Sequence, residues 1–269
     1  MRLNNSRILL TGASGGIGQA LAHALAKQGA CLILHGRNET ALTALLNTLP
    51  HPEKHQVWIA DLGDFTQLTQ QVELLCQQQR IDILINNAGA NHFAWLEDQS
   101  EQQIMQQLAV NIQAPILLTR ALLPYIDRPG IIMNIGSSFG SIGYAGYSVY
   151  CASKFALRGF SEALGRELAG SSINVLYFAP RATQTTLNSA AVNAMNAELG
   201  TKSDSAEWVA DEVIVALDKQ IKRRWLGWPE RFFVKLNALF PAVVDKALAK
   251  QRHIIARHAN AALEKKDSR

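Results

Sequence analysis

Six short aliphatic runs, each closed by a turn, recur along the chain: SRILLTG (6–12), ACLILHG (30–36), HQVWIAD (55–61), IDILINNAG (81–89), GIIMNIGSS (130–138) and SINVLYFAP (172–180). Runs this short and this continuously apolar read as strands buried on both faces. Between them, segments of helical period predict helices over 16–28, 39–48, 65–79, 101–125, 149–169 and 205–220. Consecutive parallel strands need a crossover of a dozen or more residues, and these helices supply it. The alternation therefore predicts an α/β fold, a doubly wound parallel sheet of the Rossmann type.

A 48% apolar composition over 269 residues is ample for one core, so a single domain is expected. Residues 1–218 would carry the dinucleotide-binding and catalytic parts, and 219–269 a basic helical extension packed on the same domain. The charge supports that division. From Lys219 onward there are 13 Lys plus Arg against 4 Asp plus Glu, and before it 13 against 18. No RNA-binding motif or helix-turn-helix accompanies the basic end, so nucleic acid is not the expected partner. No run approaches 18 apolar residues and no signal-peptide pattern opens the chain, which reads as cytoplasmic. Cys31, Cys76 and Cys151 form no paired spacing, so neither a disulfide framework nor a metal site is suggested.

The first strand runs into TGASGGIG (11–18) and then into a helix, the context that gives a glycine pattern meaning. Gly12 suits a tight turn, Gly16 an approach to pyrophosphate and Gly18 close helix packing, while the helix start offers free N–H groups to an anion. The second strand ends in LILHGRNET (32–40). Arg37 there suits a 2′-phosphate, with Ser14 as a second contact, so NADP is expected; Glu39, two residues on, keeps NAD as the second choice. YSVYCASKFAL (147–157) places Lys154 one helical turn after Tyr150, and a cation there would favour the phenolate.

Taken in order, TGASGGIG (11–18), NNAG (86–89), Asn111, GSS (136–138) and YCASK (150–154) resemble the short-chain dehydrogenase/reductase family. The resemblance covers residues 6 to about 185. It implies that Tyr150 is the acid/base, that Lys154 binds the nicotinamide ribose and lowers the tyrosine pKa, that Ser137 rather than Ser138 holds the substrate oxygen, and that Asn111 holds a water near Lys154. It also implies a cofactor pocket of Gly12, Ser14, Gly16, Ile17, Gly18, Arg37, Asp61, Leu62, Asn87, Ala88, Gly89, Tyr150, Lys154, Pro180, Thr183 and Thr185.

Two departures stand out. PRATQT (180–185) puts Arg181 where the family commonly has glycine, and an ion-pair role facing away from the cofactor is expected for it, with contact to an anionic substrate group as the second choice. The C-terminal residues lack the short glycine-rich ending of many tetrameric members, which favours a dimer over a tetramer. NHFAWLE (91–97), Phe139, Tyr144, Tyr147 and a covering segment at 187–199 suggest a hydrophobic carbonyl or alcohol substrate. ERFFVKLNALF (230–240) and the residues after it read as two helices broken at Pro241, with an apolar stripe (Phe232, Phe233, Leu236, Leu239, Phe240) expected in the core. KRRWLGWPERFF (222–233) instead raises contact with an anionic membrane or an acidic acyl carrier, Trp225 and Trp228 anchoring it. A non-catalytic NADP sensor is the alternative from another class, but it has no need of the full Asn111, Ser137, Tyr150, Lys154 set. A sugar-nucleotide epimerase generally needs a larger C-terminal domain.

Overall fold

The computed structural model describes residues 3–77 and 79–267. Seven parallel strands form one sheet: β1 (Arg7–Leu10), β2 (Cys31–Gly36), β3 (Gln56–Ile59), β4 (Ile81–Asn86), β5 (Ile126–Ile135), β6 (Ile173–Ala179) and β7 (Arg223–Trp225), in the order β3-β2-β1-β4-β5-β6-β7. The order reverses between β1 and β4, and the crevice at such a reversal is where open α/β sheets bind ligands.

Side chains of each strand point alternately to the two faces. Ile8, Leu10, Leu32, Leu34, Ile83 and Ile85 join one core with helices α1 (Gly16–Lys27), α2 (Glu39–Thr48) and α8 (Ala206–Asp218). Leu9, Ile33, Leu84 and Ile132 join the other, with α3 (Phe65–Cys76), α5 (Ala114–Leu122) and α6 (Ser148–Glu167). This two-sided burial is why the strands carry no polar alternation. Gln78, inside the helix expected to reach 79, lies outside the described residues, as do both extreme termini.

The helix expected over 101–125 is not one helix. α4 (Glu101–Leu108), opened by a capping box at Ser100 and Gln103, gives way to a π-turn over Ala109–Gln113 before α5 begins. Pro115 has no N–H for the Asn111 carbonyl four residues earlier, so the regular ladder must shift, and Ala114 N–H bonds Ala109 O instead.

After β6 come α7 (Ala190–Glu198), α8, β7 and three further helices, α9 (Glu230–Leu239), α10 (Pro241–Ala249) and α11 (Arg252–Asp267). The edge strand and the break at Pro241 match the sequence reading, whereas the break before Arg252 does not. The apolar stripe of α9 is also not core. Val234 and Val244 are the buried contacts of α9 and α10, and Phe232, Leu239 and Phe240 stand exposed. Trp225 belongs to the body, because its Nε1 donates to Ser141 Oγ (3.0 Å) and the Arg158 guanidinium lies 5.2 Å from its ring.

Candidate active site

The C-terminal ends of β1, β2, β4, β5 and β6 open on a cavity of about 700 Å³. Gly12 takes φ +64°, and a Cβ there would come within 2.8 Å of Ala88 Cα; one on Gly18 would run into Gly12 O. Glycine is thus required at both for the turn to form and for α1 to close against it. A Cβ on Gly16 would lie 2.8 Å from the Thr185 side chain, so the loop after β6 closes down on this glycine. No side chain caps α1, and Gly16, Ile17 and Gly18 line the cavity, which leaves first-turn N–H groups for an anionic ligand.

Thr11 and His35, neither singled out in the sequence, hold this cradle. Thr11 Oγ1 accepts from Asn87 N (2.9 Å) and Ala88 N (3.0 Å), while Asn87 Nδ2 donates to Thr11 O and Gly12 O. His35 is buried, which pushes its pKa down to about 4 and keeps it neutral. Its Nε2 pairs with Ala60 O at 3.1 Å and its Nδ1 faces Gly12 N–H at 3.5 Å, so the imidazole braces the turn between β1 and β3. At the end of β2, Arg37 is exposed on the cavity rim with no ion-pair partner among the described residues. A Cβ on Gly36 would lie 3.4 Å from Ser14 Oγ, so the hydroxyl sits against the residue that precedes Arg37, and both line the cavity. Asp61 accepts from Gly63 N (2.9 Å) in a local turn, and Leu62 is buried beside it.

Beyond the cradle, Ser137 caps a short 3-10 turn after β5, its Oγ accepting from Phe139 N at 3.1 Å. That leaves the hydroxyl proton to be directed elsewhere, toward the Tyr150 phenol, whose pKa Ser137 draws down. Tyr150 and Lys154 rise from α6 as the spacing predicts. Lys154 Nζ stands 5.8 Å from the Tyr150 ring centroid and donates to Ile135 O at 3.1 Å. The expected lowering of the tyrosine pKa is not found. Burial pushes Tyr150 up to about 12, against the opposing Ser137 hydrogen bond, and burial pushes Lys154 down to about 8. Desolvation outweighs the ammonium, so at neutral pH the pair is an intact phenol beside a cation near its own titration point.

Asn111 does not line the cavity but sits behind it, fully buried in the π-turn. Its Oδ1 accepts from Ala90 N (2.7 Å), and its Nδ2 donates to Ala90 O (2.9 Å) and Ser153 Oγ (3.0 Å). Both amide protons are taken, and the side chain ties the loop after β4 to α6; a water near Lys154 would be held by an oxygen of Asn111, whose main-chain carbonyl lacks the N–H that Pro115 cannot give. A second buried set, Thr119, Asn86, Asn134 and Ser161, links α5 to α6 through the strands, with Asn86 to Asn134 at 2.8 Å and Asn134 to Ser161 at 2.8 Å. Two asparagines inside aliphatic runs were the legible signal, since a buried amide must find partners.

Arg181 is held in ion pairs, as expected, but it and Glu230 still line the cavity rather than facing away from it. It makes two bonds to Asp204 (2.7 and 2.8 Å) and two longer ones to Glu230 (3.2 and 3.5 Å), and its side chain is 10% exposed. It therefore straps the loop after β6 to the start of α8 and to α9. Pro180 O accepts from Ser138 N (3.0 Å), and Thr183 Oγ1 donates to Arg181 O (2.9 Å). Phe93, Tyr147, Val192 and Met195 pack with Ile255 and Ala259 of α11 into an apolar wall beside Tyr150. His92 lies outside the cavity lining.

A parallel sheet with a glycine cradle at its reversal is a dinucleotide-binding domain, and Ser137, Tyr150 and Lys154 gather just beyond the cradle. Sequence comparison agrees: a profile for short chain dehydrogenases matches residues 6–196. The chain belongs to that family and is an oxidoreductase. It is 31% identical over 230 residues to the 3-oxoacyl-(acyl-carrier-protein) reductase FabG of Rickettsia bellii, covering 85% of this chain and 86% of the relative. It is 30% identical over 266 residues to dehydrogenase/reductase SDR family member 7B of Bos taurus, covering 92% and 81%. Among solved structures, a short-chain dehydrogenase of Burkholderia cenocepacia in complex with NADP superposes with a TM-score of 0.77 at 28% identity, over 86% of this chain and all of that one.

Proposed function

We propose that the chain interconverts a hydrophobic carbonyl compound and its alcohol with NADP(H), Tyr150 serving as acid and base. The observation that carries this reading is the Tyr150 phenol at the wall of the cavity, with Ser137 lining the same wall and the Lys154 ammonium beside its ring. The cavity fits the dinucleotide: an uncapped helix start faces it, and a Cβ at Gly15 would meet nothing nearer than Gly12 O at 3.4 Å. Gly16, Ile17 and Gly18 would hold the pyrophosphate, Arg37 and Ser14 the 2′-phosphate, Asp61 and Leu62 the adenine, and Asn87 to Gly89 with Pro180 and Thr185 the nicotinamide half. NADP(H) supplies or takes up the hydride when bound. The 3-oxoacyl reductase among the relatives and the NADP-bound neighbour support this choice of chemistry and coenzyme.

In the reducing direction the raised pKa of Tyr150 is useful, because the phenol arrives with its proton. With substrate bound, Ser137 Oγ–H and Tyr150 Oη–H would both donate to a carbonyl oxygen placed between them, and those bonds strengthen as charge develops on that oxygen. Tyr150 then gives its proton to the oxygen; in the oxidising direction it takes the proton back. Lys154 stabilises the phenolate left behind. The apolar wall of Phe93, Tyr147, Val192 and Met195 favours a substrate with a hydrocarbon body.

The test is NADPH oxidation, followed optically, over a panel of aliphatic ketones and aldehydes. Turnover is expected with apolar substrates, and Tyr150→Phe should lower kcat by about 10²- to 10⁴-fold while leaving dinucleotide binding in place. Turnover by the variant at the native rate, or activity confined to small polar sugars, would remove the reading.

A further inference from the structure

The α9–α10 pair leaves an apolar face uncovered. Trp228, Phe232, Leu239, Phe240 and Val243 are 73, 47, 72, 59 and 54% exposed. Trp228 and Phe232 lie 5.8 Å apart between ring centroids, and Phe232 and Phe233 5.9 Å, so the face is continuous. On a helical wheel Leu239, Phe232, Leu236 and Phe233 take one arc of α9, with Phe240 following at its C-cap, and Arg231 and Lys235 occupy the shoulder. The opposite arc fastens the helix to the body through buried Val234 and through Asn237 Nδ2, which donates to Ser141 O at 2.9 Å. Lys246 and Lys250, both exposed, extend the basic rim along α10. Phe233, Val244, Ala247 and Leu248 of the same two helices line the mouth of the cavity.

We propose that this face rests on an anionic lipid surface, α9 and α10 lying in the headgroup layer with the cavity mouth turned toward the bilayer. The orientation of substrate supply rests on the hydrophobic-carbonyl reading above; the lipid contact does not. Apolar tips ringed by lysine and arginine match hydrocarbon beneath a layer of phosphate, since the long basic side chains reach back to the headgroups while the rings sink below them. A second copy fits less well. A twofold contact here would bring two copies of the same basic rim, Arg231, Lys235 and Lys246, into one interface, where like charges repel. No helix among the described residues is long and apolar enough to cross a membrane, so the contact lies on the surface.

The experiment is co-sedimentation of the full chain with vesicles of phosphatidylserine and phosphatidylcholine, against pure phosphatidylcholine, at low ionic strength. Enrichment on the anionic vesicles is expected, and Phe232→Glu with Leu239→Glu should lower it about 10-fold without changing the melting temperature. No enrichment on anionic vesicles, or equal enrichment in the double variant, overturns the proposal. So does a dimer in analytical ultracentrifugation that the double variant dissolves, because a second copy then covers the face. Vesicle binding needs no turnover, and reduction of a water-soluble ketone by the double variant reports separately on the reductase.

Discussion

Tyr150 and Lys154 are displaced in opposite directions by one cause, loss of water. The lysine is the one that titrates in an accessible range. Its ammonium is present below about pH 8 and is lost as the pH rises through that value. For carbonyl reduction, log kcat/KM should therefore be flat below about pH 8 and fall above it, whereas Lys154→Arg, charged throughout, should straighten the profile even at lower activity. A fall that persists unchanged in the variant would assign the titration to another group. Stability should move the other way. Between about pH 8 and the unfolded lysine value near 10.4, the folded protein binds fewer protons than the unfolded chain, so stability rises with pH across that window, and Lys154→Met should lack the rise in urea titrations. The spacing YxxxK revealed the pair. The direction of its pKa shifts was not legible, because desolvation depends on what Ser137, Ile135 and α6 enclose rather than on sequence distance.

At the scale of elements, strap and cradle have different origins. The cradle was legible: TGASGGIG, its following helix and the strand before it are local, and each glycine answers a nearby clash. The strap was half legible. Arg181 was expected in an ion pair, but Asp204 and Glu230 are 23 and 49 residues away and only the fold brings them together. Asp204→Asn removes the negative charge of a two-point contact to a guanidinium with little access to water, and should cost about 3 kcal/mol in urea denaturation. An unchanged midpoint would mean that Glu230 alone suffices. The helix boundaries follow the same division. Pro241 marks its break in the sequence itself. The break before Arg252 has no proline or glycine to mark it, and arises where Gln251 Oε1 accepts from Tyr144 Oη (2.9 Å) and α11 turns to seat Ile255 and Ala259 on α7.

For the whole molecule, two large cores flank the sheet and a third, smaller one joins α7 to α11 above the site. That third cluster touches neither face of the sheet, so it should loosen independently. Ile255→Ala is expected to cost about 2 to 4 kcal/mol locally and to speed hydrogen exchange in α7 and α11, with protection in α1 and α8 unchanged. Uniform acceleration everywhere would show that the cluster and the sheet unfold as one.

The placement of that cluster also sets a timetable. Everything from Gly12 to Gly89 leaves the ribosome more than 150 residues before Ile255, on the order of 10 to 30 s earlier at ordinary rates of synthesis. A nascent chain thus carries the glycines of its coenzyme cradle long before the helix that will roof Tyr147, Val192 and Met195 is made.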